Sequence, residues 1–137
     1  MTKHLVLIAG NIGAGKTSLA ERLADRLGWE VAYESVADNP YLQDFYADMS
    51  DWSFHLQVFF LGHRAEQHRR MSALAQSAVI DRSIYEDAHI FARALHEGGN
   101  LCERDYLAYR RLYDFAVSSL RRPELLIYIQ TGVPTLL

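Results

Sequence analysis

Short apolar runs alternate along the chain with longer segments in which apolar residues recur at helical spacing. Residues 5–9 form an unbroken apolar run that a glycine closes, which is typical of a strand buried on both faces of a parallel sheet. Residues Lys16–Leu27 repeat apolar positions every three to four residues before Gly28, which predicts a helix that ends there. By the same criteria, further strands are predicted at 29–33, 78–80 and Leu125–Ile129. Further helices are predicted at 39–49, at 51–76, from Ser83 to the Gly98-Gly99 pair, and at 102–120.

Four local signals refine these helices. Pro40 lies in the first turn of the 39–49 helix, a position that tolerates its missing N–H group. Residues 54–61, in the middle of the long helix, are apolar on nearly every side and are predicted to be buried. Ser83 and Glu86 have the spacing of a capping box, which marks a helix start. The last helix is predicted to bury one stripe, made of Tyr109, Leu112, Ala116 and Leu120.

Strands that alternate with helices predict an α/β fold with a doubly wound parallel sheet. At 137 residues, half of them hydrophobic, the chain has enough material for one compact domain, and we predict a single domain over residues 1–137. Residues 132–137 resemble the first turn of a helix that would cross back over the sheet. We therefore expect either that this sequence is the N-terminal part of a longer protein or that the ordered part of the chain stops here.

Charge and cysteine content narrow the classes of partner. The formal net charge is −3, which argues against a nucleic-acid polymer, because such partners need a basic face. The single cysteine, Cys102, permits no intrachain disulfide and suits a reducing compartment. The apolar run near the N-terminus is too short for a signal peptide or a membrane span. We expect a cytoplasmic protein without a membrane partner.

The segment between the first strand and the first helix fits the phosphate-binding pattern G-x-x-x-x-G-K-[ST]. Its glycines let successive backbone N–H groups point at phosphate oxygens, and the helix that follows adds its positive dipole end. Lys16 would contact the β- and γ-phosphates, and the Thr17 hydroxyl would bind Mg²⁺. The predicted P-loop consists of Gly10, Asn11, Ile12, Gly13, Ala14, Gly15, Lys16 and Thr17.

Two acidic residues follow the next two predicted strands, Glu34 after the second and Asp81 after the third. In open α/β sheets, ligands bind beyond the carboxyl ends of the strands. One carboxylate there can hold Mg²⁺, and the other can accept the proton of an attacking hydroxyl. Arg82 can stabilise the transferring phosphoryl group or orient Glu34. The simpler alternatives are that Glu34 is a solvated loop acid and that Asp81 only pairs with Arg82.

The long apolar helix is interrupted by Gln57 and Arg64, which are seven residues apart and share one face. A buried amide and a buried guanidinium need partners, which the edge of a nucleobase would supply. Phe60 lies on the same face and could stack on that base, while Asp87 could pair with Arg64. From spacing alone the simpler alternative is favoured, in which Gln57 bonds to backbone and Arg64 reaches solvent.

Taken together, these segments resemble the deoxyribonucleoside kinase family, in particular the bacterial deoxyadenosine and deoxyguanosine kinases. The resemblance runs from Lys3 to Leu137. The P-loop is generic, whereas the aspartate-arginine-serine segment and the glutamine-bearing helix are specific to this family. The matching segments are the P-loop, Tyr33-Glu34-Ser35-Val36, Asn39-Pro40, Trp52-Ser53-Phe54-His55-Leu56-Gln57 and Asp81-Arg82-Ser83-Ile84-Tyr85-Glu86-Asp87.

The resemblance implies ATP-dependent phosphorylation of the 5′-hydroxyl of a deoxyribonucleoside, with Mg²⁺ as cofactor and deoxyadenosine or deoxyguanosine as the expected substrate. It implies that Glu34 is the general base, that Arg82 and Lys16 stabilise the phosphoryl group, and that Asp81 helps Thr17 hold Mg²⁺. The implied contacts to the nucleoside are Gln57, Arg64 and Asp87 with the base, Phe60 and Phe91 lining the base pocket, and Tyr46 with the sugar 3′-hydroxyl.

The same resemblance implies a P-loop NTPase-type parallel sheet flanked by helices in three layers. Family members continue into an arginine-rich lid helix and a last strand, neither of which falls within residues 1–137. They are commonly homodimers, and residues 106–120 could supply the contact face, although packing of that helix on the sheet is the favoured alternative.

Two other functions stay open at this point. One is another P-loop small-molecule kinase, such as a nucleoside monophosphate kinase, which would need additional cations for the phosphate of its acceptor. No surplus of cations is visible near Glu34. The other is a nucleotide-binding module without catalysis.

Overall fold

The structure, a computed structural model, describes residues 3–10, 15–33 and 39–129. The chain divides into two compact units. The sheet unit comprises Met1–Glu34, Gln67–Ser83 and Arg121–Leu137, and the helical unit comprises Ser35–Glu66 and Ile84–Leu120. These units are regions with many internal contacts. The prediction that residues 1–137 form a single domain stays a prediction.

The sheet unit contains four parallel strands, as the alternation of strands and helices predicted. They are β1 (Leu5–Gly10), β2 (Glu30–Ala32), β3 (Ala78–Asp81) and β4 (Leu125–Ile129), in the order β2-β3-β1-β4. Every residue of β1 and β3 is buried, which explains why their sequences show no alternation of polar and apolar residues. The register places Ile8 beside Asp81, so β1 and β3 end at the same edge of the sheet.

Helix α1 (Lys16–Leu27) has the predicted bounds, because a left-handed glycine stands at each end. Gly15 has φ 91° and Gly28 has φ 70°, a backbone conformation that other L-residues rarely adopt. The helix buries Ala20 against Ile8 of β1 and Val79 of β3. The phosphate-loop end of α1 is therefore fixed on the two central strands.

Helix α3 (Met49–Ala73) begins two residues earlier and ends three residues earlier than predicted. Near its start, the Asp51 N–H donates to the Asp48 carboxylate at 3.2 Å. At its end, the Lys3 ammonium donates to the carbonyls of Met71, Ser72 and Leu74. A cation at these free carbonyls satisfies the helix terminus and complements its dipole. No signal within the helix itself could reveal a cap supplied by residue 3.

In the predicted 39–49 segment the helix is shorter. Helix α2 spans Leu42–Ala47, so Pro40 precedes the helix and the prediction that it lies in the first turn was wrong. The physical reason is a turn, in which the Asn39 side-chain oxygen accepts a hydrogen bond from the Tyr41 N–H at 2.9 Å. This turn delays the start of the helix.

The sequence predicted one α-helix over residues 83–97, but the structure has three helical segments there. Helix α4 (Ile84–Glu86) passes into a π-helical turn (Asp87–Ala92), and helix α5 (Arg93–Glu97) follows. The π-helical turn contains one more residue per hydrogen-bonded ring than an α-helix and therefore changes which residues face the same side. Such turns are frequent at functional sites.

Most of the stripe predicted along helix α6 (Glu103–Ser118) packs in the core: Tyr109 is buried, and Ala116 and Leu120 are partly buried against the same cluster. Tyr109 and Tyr113 are buried, whereas Leu112 is 48% exposed, so its assignment to the buried stripe was wrong. Tyr113 tolerates burial because its hydroxyl bonds to His89 Nε2 at 3.1 Å. The two tyrosines pack in a core with Leu61, Ile84, Ala88 and Ala92 of the same unit.

Among the described residues, no helix combines the length and the apolar composition that crossing a bilayer requires.

Candidate active site

The described part of the predicted P-loop comprises the end of a strand, a capping glycine and the start of a helix. Gly10 ends β1, and Gly15 caps the N-terminus of α1. Lys16 is the first residue of the helix and is buried, while Thr17 is exposed. Asn11, Ile12, Gly13 and Ala14 lie outside the described residues. The strand, the capping glycine and the helix N-terminus occur in the order that the motif requires.

Thr17 and Asp81 meet at the carboxyl edge of the sheet. The Thr17 hydroxyl donates to Asp81 Oδ2 at 2.6 Å, although the two residues are 64 positions apart in sequence. Asp81 is 1% exposed, and its other oxygen, Oδ1, has no hydrogen-bond partner among the described residues. A hydroxyl beside a carboxylate is a pair of hard oxygen ligands of the kind that Mg²⁺ prefers.

The Thr17–Asp81 pair matches the way Mg²⁺ is held beside nucleotides. The ion is commonly bound by one or two protein groups, by phosphate oxygens and by water, and this pair supplies two oxygen ligands. No group of three or more histidine, cysteine, aspartate or glutamate side chains that could hold a metal occurs in the described ranges. Thr17 and Asp81 are the residues that would hold Mg²⁺.

Arg82 has a strained backbone. Its φ of 70° is the only positive value for a non-glycine residue in the described chain, and its N–H donates to the Ile8 carbonyl at 2.9 Å. A non-glycine residue in this region costs of the order of 1–3 kcal/mol, and such strain clusters at functional sites. The side chain is buried. The structure thus fixes Arg82 directly after Asp81 at the edge of the sheet that carries Thr17.

Glu34, the predicted general base, lies outside the described residues. Its neighbour Tyr33 is described, and the Tyr33 carbonyl accepts a hydrogen bond from Gln67 Nε2 at 3.0 Å. Gln67 is buried and is not among the residues predicted to form the site. Its signal was present, because the spacing of Gln57, Phe60 and Arg64 along the helix continues to Gln67.

In the helical unit, Arg64 and Asp87 form a buried ion pair. Arg64 Nε lies 3.0 Å from Asp87 Oδ2, and both side chains are at most 5% exposed. The pairing that the sequence predicted is therefore present, and the alternative in which Arg64 reaches solvent is excluded. Removing two charges from water costs free energy that their attraction only partly returns. A buried ion pair is therefore weak evidence that its residues serve only to stabilise the fold.

The ion pair leaves polar groups beside it without partners. Within the described part of the chain, Arg64 Nη1 and Gln57 Oε1 are buried and make no hydrogen bond. Phe60 is half-buried, and the Arg64 guanidinium lies 5.9 Å from the centre of its ring. Buried polar groups in native proteins are nearly always hydrogen-bonded, so an unmet donor and acceptor on one helix mark a place where a polar ligand is expected.

The other two predicted nucleoside contacts are exposed. Tyr46 is 69% exposed, and its ring centre lies 5.5 Å from that of Phe45. Phe91 lies in the π-helical turn and is 37% exposed. The contacts of both side chains with a sugar or base stay predictions.

Tyr109 is a polar residue that the sequence analysis assigned only to the core. It is fully buried, and its hydroxyl has no hydrogen-bond partner among the described residues. Burial, and secondarily the negative charge of Asp87, raise the pKa of this phenol. Helical periodicity showed that the ring would be buried, but it could not show that the hydroxyl would stay unsatisfied.

A parallel sheet with a glycine-capped helix after its first strand, and with a hydroxyl–carboxylate pair at its carboxyl edge, defines a P-loop NTPase-type fold of the α/β class. Residues 6–137 match the deoxynucleoside kinase family, and the chain belongs to that family. The resemblance found in the sequence is thereby confirmed.

Relatives with known names agree with this assignment. The chain is 38% identical to a deoxyadenosine/deoxycytidine kinase of Bacillus subtilis, over 97% of this chain and 62% of that protein. It is 43% identical to a deoxyadenosine kinase of Dictyostelium discoideum, over 93% of this chain and 51% of the relative. The chain thus spans about half to two thirds of the length of these relatives.

Solved structures show the same fold. A deoxyadenosine kinase from M. mycoides, solved with the products dCMP and a flexible dCDP bound, matches with a TM-score of 0.84 and 29% identity, over 96% of this chain and 67% of that one. The same enzyme with bound dATP matches with a TM-score of 0.83 and 28% identity. The predicted P-loop NTPase-type parallel sheet with helices is confirmed.

Proposed function

We propose that the intact protein transfers the γ-phosphoryl group of ATP to the 5′-hydroxyl of a deoxyribonucleoside, with Mg²⁺ as cofactor. The observation that carries the proposal is the buried Arg64–Asp87 pair beside an unmet Gln57 Oε1 and Arg64 Nη1. A P-loop by itself is compatible with many reactions. Binding of a nucleoside also requires polar groups that can form hydrogen bonds with its base, and Gln57 Oε1 and Arg64 Nη1 are available for this.

The residues of the sheet unit would handle the phosphates. The P-loop backbone and Lys16 would hold the β- and γ-phosphates, and Thr17 with Asp81 would hold Mg²⁺, which neutralises charge on the phosphates when bound. Arg82 would stabilise the charge of the transferring group. Glu34 would accept the proton of the attacking hydroxyl. Phosphoryl transfer depends mainly on such positioning and charge stabilisation, and we propose direct in-line transfer.

The residues of the helical unit would read the base. Gln57 offers both a donor and an acceptor, Arg64 Nη1 offers a donor, and Asp87 orients the guanidinium. Phe60 and Phe91 would contact the faces of the base, and Tyr46 the sugar 3′-hydroxyl. We propose deoxyadenosine or deoxyguanosine as the substrate, supported by relatives named deoxyadenosine kinase and deoxyguanosine kinase.

A panel of acceptors distinguishes this proposal from its two rivals. The intact protein is incubated with γ-labelled ATP and Mg²⁺, and with each deoxyribonucleoside or its 5′-monophosphate. The proposal predicts label on the deoxyribonucleosides and little on the monophosphates. Label on the monophosphates only would identify a nucleoside monophosphate kinase. Binding of ATP without transfer to any acceptor would identify a non-catalytic module.

The role of Glu34 has its own test. Replacing Glu34→Gln keeps the size and polarity of the side chain but removes the base. We expect kcat to fall by about two orders of magnitude or more, the usual contribution of a positioned base, with little change in ATP binding. Turnover close to that of the unchanged protein would remove Glu34 from this role.

We also propose that the protein is a cytoplasmic homodimer. The supporting feature is the outer side of α6, where Leu107, Leu112 and Phe115 are exposed, Phe115 by 78%. Exposed apolar side chains grouped on one helix are typical of a contact surface. Sedimentation velocity tests this, since Phe115→Glu should shift a dimer to monomer if this face forms the interface. An unchanged protein that sediments as a monomer would contradict it.

A further inference from the structure

The buried hydroxyl of Tyr109 is costly in the described structure. Its side chain is fully buried in the core of the helical unit, among Leu61, Ile84, Ala88 and Ala92. No described residue accepts or donates a hydrogen bond at this hydroxyl. Because a phenol gives up its hydrogen bonds to water when it is buried, an unsatisfied hydroxyl destabilises the fold, whereas a phenylalanine would fill the same space without that cost.

The surroundings of Tyr109 indicate which group could accept a hydrogen bond from its hydroxyl. Ala88, which packs in the same core, directly follows Asp87 at the start of the π-helical turn. The charge of Asp87 acts on the phenol and, after burial, is the largest contribution to its raised pKa. Asp87 in turn holds Arg64, whose Nη1 is also buried without a partner among the described residues.

We propose that Tyr109 is a positioning residue for base recognition, whose hydroxyl supports Asp87, directly or through one buried water, when a deoxyribonucleoside is bound. Asp87 then orients the Arg64 guanidinium toward the base. The hydroxyl donates a hydrogen bond to the Asp87 carboxylate or to the water between them, so the hydrogen bonds of Tyr109 and Arg64 that are unmade in the described structure form together. The inference rests on the proposed function, because it assigns Arg64 and Asp87 to the nucleoside.

The chain offers a matched pair of variants to test this. Tyr109→Phe removes a hydroxyl that makes no hydrogen bond here, and Tyr113→Phe removes one that bonds to His89 at 3.1 Å. Both tyrosines are buried on α6, one helical turn apart. We expect Tyr109→Phe to keep or raise the Tm while weakening deoxyribonucleoside binding about three- to tenfold, the size of one hydrogen bond. We expect Tyr113→Phe to lower the Tm by about 2 °C and to leave nucleoside binding unchanged.

The measurements are thermal unfolding without ligand and calorimetric titration of the intact protein with deoxyadenosine, with deoxyguanosine and with MgATP. ATP affinity should stay within about twofold in both variants. A third variant, Arg64→Lys, keeps the charge but removes the planar guanidinium, and in that background Tyr109→Phe should weaken nucleoside binding less than it does alone.

Three results would overturn the inference: nucleoside affinity unchanged in Tyr109→Phe, equal weakening of nucleoside and ATP binding together with a lower Tm, or additive losses in the Arg64→Lys background. Failure of the proposed function is recognised separately, because the unchanged protein would then bind neither nucleoside.

Discussion

Arg64 carries a buried charge whose neutralising partner, Asp87, contacts only part of the guanidinium through Nε. We predict that Arg64→Lys weakens deoxyribonucleoside binding by about tenfold or more while ATP affinity stays within about twofold. The reason is that lysine keeps the positive charge beside Asp87 but cannot present the fixed array of donors that would reach a base. Equilibrium titration with each ligand measures both effects.

Lysine is the appropriate replacement because alanine would break the buried Arg64–Asp87 ion pair, and removing one partner of a buried pair costs about 3–5 kcal/mol. Arg69→Lys serves as the control, since Arg69 lies on the same helix and is exposed. The assignment of Arg64 to the base would be contradicted by equal weakening of nucleoside and ATP binding, which would indicate a structural role.

Thr17 offers a test of the metal assignment at the scale of a single atom. Thr17→Ala removes the hydroxyl that lies 2.6 Å from Asp81 Oδ2, whereas Thr17→Ser keeps it. We predict that the Mg²⁺ concentration required for half-maximal activity rises about tenfold or more in Thr17→Ala and changes little in Thr17→Ser, because the hydroxyl is a metal ligand in this type of site. A Mg²⁺ titration of initial rates decides. The same Mg²⁺ requirement in both variants would exclude Thr17 as a ligand.

Residue-level predictions from the sequence succeeded where a motif or a fixed spacing constrained the answer. The pairing of Arg64 with Asp87 was predicted from a polar side chain that interrupts an apolar helix. Thr17 and Asp81 were predicted to hold Mg²⁺, which stays a prediction, and the structure places them in contact. The lack of a hydrogen-bond partner for the Tyr109 hydroxyl among the described residues could not be predicted, because the possible partners come from several elements of the fold.

At the level of elements, α3 is tied to the segment before β4 by a buried histidine. His68 is 2% exposed, and its Nε2 lies 2.6 Å from the Arg121 carbonyl. Burial lowers the pKa of His68, an effect that the hydrogen bond to Arg121 only partly offsets. The folded protein therefore binds the proton less readily than the unfolded chain, whose histidines titrate near pH 6.5.

The sign of the pH dependence follows. The contribution of neutral His68 to the free energy of unfolding is fully present above about pH 6.5. It is lost as the pH falls toward and below the lowered pKa of His68 in the folded state. We predict that His68→Gln flattens the loss of unfolding free energy between about pH 7 and 5, by at most about 1.4 kcal/mol per pH unit. Urea unfolding across this range measures it.

His55→Gln is the control, because His55 is an exposed histidine on the same helix. It should leave the pH dependence as it is in the unchanged protein. If the unfolding free energy of His68→Gln falls between about pH 7 and 5 as much as that of the unchanged protein, His68 does not couple protonation to folding.

The bounds of a helix could be predicted from the sequence when residues at its own ends set them, and not when distant residues did. Helix α1 has its predicted bounds because Gly15 and Gly28 set both ends from within the sequence. The end of α3 depends on Lys3, which is nearly seventy residues away, and was misjudged by three residues. The π-helical turn Asp87–Ala92 has no periodicity of its own and was missed.

For the whole molecule, the family is established over residues 6–137, while the chain spans about half to two thirds of the length of its relatives. Catalysis is accordingly proposed for the intact protein. In the proposed reaction, the P-loop residues would hold the phosphates, and the polar residues of the helical unit would contact the base. The claim that joins these tasks is that the phosphoryl group ends on the 5′-oxygen of a deoxyribonucleoside.

The position of the transferred phosphate tests that claim most directly. The intact protein is incubated with ATP, Mg²⁺ and deoxyadenosine or deoxyguanosine, and the product is identified by phosphorus–proton coupling in NMR spectra, with 2′,5′-dideoxyadenosine as the matched acceptor that lacks the 5′-hydroxyl. We predict a 5′-monophosphate from at least one of the two nucleosides and no phosphorylated product from the 2′,5′-dideoxy compound. Phosphate on the 3′-oxygen, or release of inorganic phosphate at the same rate with and without nucleoside, would contradict the account.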